Sequence, residues 1–214
     1  MAIRCAPVAL LLLLLGACLL PPVEDPARER QDGRVSGVST DAPAVAGQDQ
    51  HRSRPRGVPA RAQPATVVRH TDGDTLRLRS GRSGPALARG VDTPVRLLEI
   101  DTPESVHPGQ PDQCFAEEAA DRLASLAPLG SRVWAVPDRE LTDRYDRTLL
   151  YLWNSKGVFV NLRMVRDGFA RAVLYPPNDR HIDRMRAAEQ RAQAARRGVW
   201  AACAFFGQPL LDAG

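Results

Sequence analysis

The composition of residues 24–64 limits where this chain can build a hydrophobic core. The segment has no leucine, isoleucine, methionine or aromatic residue and is rich in Pro, Gly, Ala, Asp and Arg. Such a composition cannot bury enough apolar surface to offset the entropy cost of ordering the chain. We therefore predict a disordered, flexible linker over residues 24–64, a folded domain over residues 65–203 and a C-terminal tail over residues 204–214.

The first 23 residues have the pattern of an export signal. Arg4 precedes an apolar run of leucines, which is too short to span a bilayer comfortably and suits a signal peptide better. The segment Leu15-Gly16-Ala17-Cys18 resembles the lipobox of bacterial lipoproteins, which implies lipidation of Cys18. The alternatives are ordinary signal cleavage nearby or an uncleaved anchor. We expect an exported protein, either a lipoprotein of the cell membrane that faces outside or a secreted protein.

Export changes the interpretation of the four cysteines. Cys5 and Cys18 belong to the signal, so the folded domain contains Cys114 and Cys203. Two cysteines outside the cytosol are typical of a disulfide. A metal site is a poor alternative, because two cysteines without nearby histidines offer too few ligands. A bond between them would close a loop of about ninety residues and would contribute about 4–5 kcal/mol in the chain-entropy model.

Apolar periodicity predicts an α+β domain that is mainly β. Five strands are expected at residues 65–70, 75–80, 95–100, 132–136 and 148–153. Three helices are expected at residues 115–126, 160–168 and 179–197, the second with Asn161 as a possible N-cap and Gly168 at its end. This order predicts an OB-fold five-stranded barrel with three helices, a fold that often binds nucleic acids or oligosaccharides.

Charged residues concentrate where the third predicted strand ends. The segment RLLEIDTPES contains Arg96, Asp101 and Glu104. A structural interpretation makes Thr102 the N-cap of a helix, Asp101 a turn residue and Arg96 a solvated strand residue. A functional interpretation requires Arg96 and Asp101 to reach one site, although residues an odd number apart face opposite sides of a strand. The strand must therefore end, bulge or twist before Asp101.

Two other segments complete a recognisable set. TDGDT contains Asp74, and TDRYDR contains Arg144, Tyr145 and Arg147; each alone is typical of a turn. The three segments in this order resemble the staphylococcal nuclease (thermonuclease-like) family, whose pattern is DGDT, then RxxxxDTPE, then D[KR]YxR before an apolar strand. The resemblance extends over residues 65–200 and includes the two C-terminal helices.

The resemblance implies a Ca²⁺ site and a set of catalytic residues. Asp74, Asp101 and the carbonyl of Thr102 would bind the metal, and their oxygen atoms suit calcium without excluding magnesium or manganese. Arg96 and Arg147 would stabilise the transition state, since guanidinium groups bind phosphate oxygens in pairs and stay charged. Glu104 would act as a general base or position the attacking water. In family enzymes water displaces the 5′ oxygen and leaves 3′-phosphate ends.

Arg144, Tyr145 and Tyr175 match the positions that contact substrate in the family. The alternative for the two tyrosines is that they are half-buried packing residues. Three features depart from the family pattern. Asp146 occupies a position where glycine is common, which could alter the turn that aims Arg147. Val173 and Leu174 stand where a second aromatic residue is expected. The loop SVHPGQPDQC is peculiar to this chain, and we expect His107 within it to be a surface residue rather than a ligand.

These observations predict an exported, calcium-dependent nuclease that hydrolyses DNA and RNA with little sequence specificity. We expect a monomer without an obligate protein partner, attached to the membrane if Cys18 is lipidated. The formal charge of +4 is a weak indication of an anionic partner. The alternatives are a non-catalytic nucleic-acid-binding OB module and a tethered protein-interaction domain. Clustered carboxylates argue against a pure binding module because they would repel phosphate.

Overall fold

The structure, a computed structural model, describes residues 54–104 and 112–206. The predicted signal with Cys5 and Cys18, residues 24–53 of the predicted linker, and His107 lie outside the described residues. Within the described part of the chain, no helix is long and apolar enough to cross a membrane.

Five strands close into a barrel, as the sequence pattern predicts. The barrel order is β1-β2-β3-β6-β5, with β3 and β6 parallel and the other neighbours antiparallel. Two short strands, β4 and β7, pair with each other outside the barrel. The strands are β1 (Gln63–His70), β2 (Thr75–Arg79), β3 (Asp92–Leu97), β4 (Ile100–Asp101), β5 (Arg132–Thr142), β6 (Thr148–Asn154) and β7 (Arg171–Ala172).

Three helices pack on the barrel, and a single helical turn follows them. They are α1 (Ala116–Leu126), α2 (Val160–Asp167), α3 (Ile182–Ala194) and the turn α4 (Val199–Ala202). Each of the two longer helices buries one apolar face, formed by Ala116, Ala119, Leu123 and Leu126 in α1 and by Ile182, Met185, Ala188 and Ala192 in α3. Phe115, the N-cap residue of α1, is half-buried, and Ala195, the C-cap residue of α3, is exposed. Both helices are amphipathic, so burial of one apolar stripe holds each against the core.

Core packing extends to the N-terminal side of Ala65. Val58 and Ala62 are buried in the same hydrophobic cluster as the strands. Gln63 is also buried, where its amide donates hydrogen bonds to the carbonyls of Leu87 and Arg82. A segment without large apolar residues therefore still contributes to the domain through small side chains and a satisfied amide.

The third strand differs from its expected bounds in a way that matters for the site. It runs from Asp92 to Leu97, and Glu99 then adopts a left-handed backbone conformation with φ 61°. The chain resumes as β4, which carries Asp101. This break removes the parity conflict, so Arg96 and Asp101 can face the same point although they are five residues apart.

The carboxyl group of Glu99 anchors the break. Glu99 is fully buried, and its Oε1 accepts hydrogen bonds from the Tyr151 hydroxyl at 2.6 Å and the His181 amide at 2.9 Å. Its backbone carbonyl accepts a hydrogen bond from the amide of Val173. Burial raises the pKa of Glu99 above its usual value. The residue thereby connects β4 to β6 and to the start of α3.

The predicted cap role of Asn161 is wrong. Phe159 is the N-cap residue of α2, and Asn161 lies inside the helix with its side chain fully buried. Its Oδ1 accepts from the amide of Leu152, and its Nδ2 donates to the carbonyls of Leu98 and Leu150. The amide group therefore bonds the helix to β6 and to the strand break after β3, a role that capping preferences alone do not predict.

The predicted disulfide between Cys114 and Cys203 is present. The two Cα atoms lie 6.0 Å apart, and the residues are 89 positions apart in the chain. The bond connects the residue two positions before α1 to the residue that follows α4. It therefore ties the C-terminal end of the described domain to the segment that leads back to Glu104.

We predict that Asn161→Ala lowers the free energy of unfolding by about 2–4 kcal/mol, because buried backbone groups lose their partners. Chemical denaturation measures this change. Gln190→Ala, on the exposed face of α3, is the matched control and should change stability by less than about 0.5 kcal/mol. Equal effects of the two substitutions would contradict the assigned role of Asn161.

Candidate active site

Four segments of the chain place polar side chains at one end of the barrel. Thr75 of β2 is paired with Arg96 of β3, and Arg96 is in turn aligned with Leu149 of β6. The turn before β2 carries Asp74, and the turn before β6 carries Arg147. Strand pairing therefore brings three segments that are far apart in sequence into contact, and β4 adds the fourth.

Arg96 lies at the centre of this group. Its side chain is buried, with 7% exposure of the residue, and Nη2 lies 2.9 Å from Asp74 Oδ2 and 3.1 Å from Asp101 Oδ1. Nη1 donates to the carbonyls of Leu97 and Ile100, each at 2.8 Å. The guanidinium thus satisfies the backbone at the strand break and holds both carboxylates. The interpretation of Arg96 as a solvated strand residue is wrong.

Asp74 is a buried carboxylate, 2% exposed, with four polar neighbours. Its Oδ2 accepts from the amide and hydroxyl of Thr102 at 3.0 and 3.1 Å, and its Oδ1 accepts from the Thr75 hydroxyl at 3.1 Å. Burial, helped by the nearby Asp72 and Asp101 carboxylates, raises the pKa of Asp74 to about 7 against the attraction of Arg96. A cation close to Asp74 would therefore stabilise its ionised form.

The turn that carries Asp74 is tightly built. Asp72 Oδ1 accepts from the amides of Asp74 at 2.9 Å and Thr75 at 2.7 Å. A Cβ atom on Gly73 would lie 2.8 Å from Thr102 Oγ1 and 2.9 Å from the Ala119 Cβ. Only glycine therefore allows this turn to approach Thr102 so closely, which fixes Asp74 relative to β4.

Asp101 receives a second arginine that the sequence interpretation missed. Arg171 of β7 lies with Nη2 2.8 Å and Nε 3.0 Å from Asp101 Oδ2. The two residues are neighbours because β4 and β7 pair in antiparallel register. A contact across 70 positions of sequence has no local signal, so only the tertiary structure identifies it.

The donor set around Arg96 suits a hard cation. Asp74 and Asp101 converge on the same guanidinium nitrogen, and Thr102 contacts Asp74 through both its amide and its hydroxyl. Residues 54–104 and 112–206 contain no group of three or more His, Cys, Asp or Glu side chains arranged to hold a metal ion. The predicted ligands are two carboxylates and one carbonyl, and oxygen donors of this kind fit calcium.

Glu104 lies three residues after Asp101 and is half-buried. Its amide donates to Gln113 Oε1 at 2.9 Å, and its carbonyl accepts from the Gln113 amide at 2.9 Å. Gln113 directly precedes Cys114, so the disulfide and these two hydrogen bonds hold the backbone of Glu104. No helix begins at Thr102, because α1 starts at Ala116; the helix-cap interpretation of Thr102 is wrong.

Arg147 is oriented by Asp143, another residue that the sequence interpretation left without a role. Asp143 Oδ2 accepts from Arg147 Nε at 2.8 Å, and its Oδ1 accepts from the amides of Tyr145 and Arg147. Partial burial opposes ionisation of Asp143, but the hydrogen bonds from Arg147 lower its pKa. Arg147 Nη1 also reaches the Thr75 hydroxyl at 3.4 Å, which connects it to Asp74.

The turn before Arg147 accommodates Asp146 in a left-handed conformation with φ 60°. Asp is among the few residues that adopt this conformation readily, and glycine adopts it without strain. The departure from the family's glycine therefore preserves the shape of the turn. Asp143 still holds Arg147 across it.

The candidate substrate residues lie at the rim of the group. Arg144 stacks on Tyr145. Its guanidinium carbon Cζ lies 4.7 Å from the ring centroid, and its Nη2 lies 2.6 Å from the Tyr145 hydroxyl. Tyr145 is largely exposed, and Arg147 lies 5.4 Å from the same ring. Tyr175 is also exposed, and its ring lies 6.0 Å from Arg96. Both tyrosines can therefore contact a bound molecule, in contrast to the interpretation as packing residues.

Comparison with known proteins identifies relatives of this chain. The family described as "Staphylococcal nuclease homologue" matches residues 94–202. The thermonuclease of Staphylococcus intermedius is 35% identical over 140 residues, which is 65% of this chain and 77% of that protein. The thermonuclease of Staphylococcus hyicus is 33% identical over 141 residues, 66% of this chain and 78% of that protein. Endonuclease YncB of Bacillus subtilis is 31% identical over 136 residues, 63% of this chain and 60% of that protein.

We predict that Arg96→Leu destabilises the domain by about 3–5 kcal/mol in the presence of chelator, since the buried Asp74 carboxylate loses its guanidinium partner and Asp101 keeps only Arg171. The pKa of Asp74 should rise further above its ordinary 3.8 in the folded state. The stability of the variant should therefore fall as the pH rises from the ordinary pKa of 3.8 to the raised pKa of Asp74. Between these two values the folded state binds more protons than the unfolded state. Denaturation at pH 5 and pH 8 measures both effects.

The matched control is Arg79→Leu, which breaks the exposed ion pair between Arg79 and Asp92. Exposed pairs contribute little, so its denaturation midpoint should stay close to that of the unmodified protein at both pH values. A loss for Arg96→Leu no larger than for this control would contradict the central role of Arg96.

Proposed function

Because this chain belongs to the staphylococcal nuclease family, we propose that it is an exported, calcium-dependent nuclease that hydrolyses phosphodiester bonds of DNA and RNA with little sequence specificity. The thermonuclease and endonuclease relatives support nuclease activity. The observation that carries the proposal is the convergence of two guanidinium groups and two carboxylates, Arg96 and Arg147 with Asp74 and Asp101, at one end of the barrel.

Asp74, Asp101 and the Thr102 carbonyl would hold the calcium ion. A bound calcium ion supplies positive charge that offsets the negative charge of the phosphate. Burial of Asp74 makes its carboxylate costly to ionise alone, so the site favours a bound cation at neutral pH.

Arg147 and Arg96 would stabilise the charge that develops on the phosphate oxygens. Arg147 is preorganised, because Asp143 holds its Nε and leaves Nη1 directed toward Thr75. Preorganised donors in a partly buried site stabilise a transition state more than mobile ones, since no free energy is spent on orienting them during the reaction. Arg96 is fixed even more firmly, by two carboxylates and two carbonyls.

Glu104 would orient the attacking water and accept its proton. The water oxygen forms a bond to phosphorus while the bond from phosphorus to the 5′ oxygen breaks. The 5′ oxygen takes up a proton from solvent, and the products are a 3′-phosphate and a 5′-hydroxyl. Gln113 supports this role because it fixes the backbone of Glu104 on both its amide and its carbonyl. Arg144, Tyr145 and Tyr175 would bind the neighbouring phosphate and base from the rim.

The disulfide supports the proposal that the protein works outside the cytosol. Disulfides persist in oxidising compartments and are rare where thiols are kept reduced. The bond between Cys114 and Cys203 closes a long loop, for which the chain-entropy model expects about 4–5 kcal/mol of stabilisation. We propose either a lipoprotein attached through Cys18 that faces outside, or a secreted protein.

We predict that cleavage of single-stranded DNA and of RNA requires calcium and stops with chelator. Glu104→Ala should lower kcat by about 100-fold to 10,000-fold, as expected for loss of a general base. Arg147→Ala should lower it by about 100-fold to 1,000-fold, as expected for loss of a charged donor. Initial rates on labelled oligonucleotides measure both.

Leu129→Ala is the control, since Leu129 is an exposed residue between α1 and β5. Its rate should match that of the unmodified protein. If the folded chain binds DNA but cuts neither DNA nor RNA with calcium, magnesium or manganese, it is a nucleic-acid-binding module and the proposed enzyme is rejected.

We predict that Asp143→Ala lowers kcat about 10-fold to 100-fold, since Arg147 loses the carboxylate that orients it. Asp146→Gly, in the same turn, should leave kcat close to that of the unmodified enzyme and should change stability by less than about 1 kcal/mol, because glycine accepts a positive φ. Steady-state kinetics with both variants separates loss of the carboxylate from a change in the turn. Equal losses would show that the turn itself, and not Asp143, aims Arg147.

A further inference from the structure

Two phenylalanines at the end of the described chain lie close to the candidate active site. We call Phe205 and Phe206 the C-terminal aromatic pair. The ring of Phe206 lies 4.7 Å from the guanidinium carbon of Arg171, and Arg171 lies 2.8 Å from Asp101. Phe205 is 67% exposed, the highest value among the large hydrophobic residues that the structure describes. The C-terminal aromatic pair is therefore separated from the proposed metal ligand by one side chain.

The position of the pair is determined by the fold. Cys203, two residues before Phe205, is covalently bonded to Cys114. The ring of Phe206 also lies 5.7 Å from that of Trp200 in α4. The disulfide and the contacts of Phe206 with Trp200 and Arg171 attach this end of the predicted C-terminal tail to the domain. Phe205 lies between these two attachment points, so its backbone loses little additional entropy when a flat ligand binds its exposed ring.

Arg171 gives this surface positive charge. Both of its described contacts to Asp101 involve a single carboxylate oxygen, Oδ2, and 47% of its side chain is exposed. The guanidinium group has five donors, so some remain available for a second anion. An exposed arginine beside an aromatic ring, with a second, exposed ring next in the chain, is a combination that binds a phosphate together with its base.

The segment directly before Tyr175 has no other aromatic side chain. Val173 and Leu174 precede Tyr175 where a second aromatic side chain is expected from the family pattern. Neither side chain offers a ring for stacking, so Tyr175 alone provides one on that segment. The C-terminal aromatic pair supplies rings from a different part of the chain, through a disulfide that the local motif does not contain.

We propose that Arg171 and the C-terminal aromatic pair form a nucleotide subsite beside the scissile phosphate. Arg171 binds a phosphate that adjoins the cleaved one, and the aromatic pair stacks on the attached base. The subsite rests on the proposed nuclease function, because that function brings a nucleic-acid strand to Asp101 and Arg96. It predicts a preference for substrates that extend past the cleaved bond, independent of base identity, since every base has a flat face.

The decisive experiment measures binding with and without bases. The full exported chain carrying Glu104→Ala is titrated with a fluorescently labelled decathymidylate in calcium, and fluorescence anisotropy gives Kd. The variant Phe205→Ala with Phe206→Ala should raise Kd about 5-fold or more, the amount expected from loss of stacking on one base. A decamer of abasic sugar-phosphate should bind the parent and this variant equally well, because it offers phosphates without bases.

Leu129→Ala is the matched control for loss of exposed apolar surface, since Leu129 is 63% exposed and Phe205 is 67% exposed. It should leave Kd unchanged for both probes. In the active enzyme, the double phenylalanine variant should raise KM with kcat nearly constant, because the rings contact the substrate strand and not the reacting atoms. Circular dichroism checks that the variant is folded.

The outcomes separate the subsite from the nuclease function. If the unmodified enzyme cleaves DNA but the double phenylalanine variant in the Glu104→Ala background binds decathymidylate as tightly as Glu104→Ala alone, the subsite is rejected and the nuclease function stands. If base-dependent binding requires the pair but the unmodified enzyme does not cleave, the subsite stands as a binding site and the nuclease function is rejected. A smaller species on size-exclusion chromatography for the double variant would show self-association through the pair and would also reject the subsite.

Discussion

The buried contacts of Arg96 are the interaction on which the candidate site depends. A guanidinium with 7% exposure is costly to remove from water unless its charge and its hydrogen-bond donors are satisfied. Here Asp74 and Asp101 balance the charge, and the carbonyls of Leu97 and Ile100 take further donors. The barrel, the strand break and the two carboxylates are therefore interdependent, because each supplies or positions a partner of the buried guanidinium.

The strand break at Glu99 makes this arrangement geometrically possible. A continuous strand would direct Arg96 and Asp101 to opposite faces, but the left-handed conformation of Glu99 turns the chain. The carboxyl group of Glu99 then bonds to Tyr151 and to the backbone at His181. The break is thus secured from β6 and α3, which means that the helical side of the domain also determines where Asp101 lies.

Much of the site was predictable because its residues fall in short contiguous segments. Asp74, Arg96, Asp101 and Arg147 each stand next to an apolar strand, so their element and position follow from local patterns. The residues that orient the arginine and aspartate side chains were harder to predict from the sequence. Asp143 lies inside a recognised segment, where its i,i+4 spacing to Arg147 was the available signal. Arg171 gave none, because its contact with Asp101 arises from the pairing of β4 with β7.

Periodicity, motif order and residue counts are local or compositional properties, and they were enough to predict the barrel, the three helices, the family and the paired cysteines. The bonds from Asn161 to β6 and to the strand break, and the burial of Arg96 between two carboxylates, follow only from the folded structure. The same holds for the ring of Phe206, which lies next to Arg171. The physical reason is that burial and hydrogen-bond satisfaction are balanced over the whole domain, among groups whose separation in sequence carries no information about their distance in space.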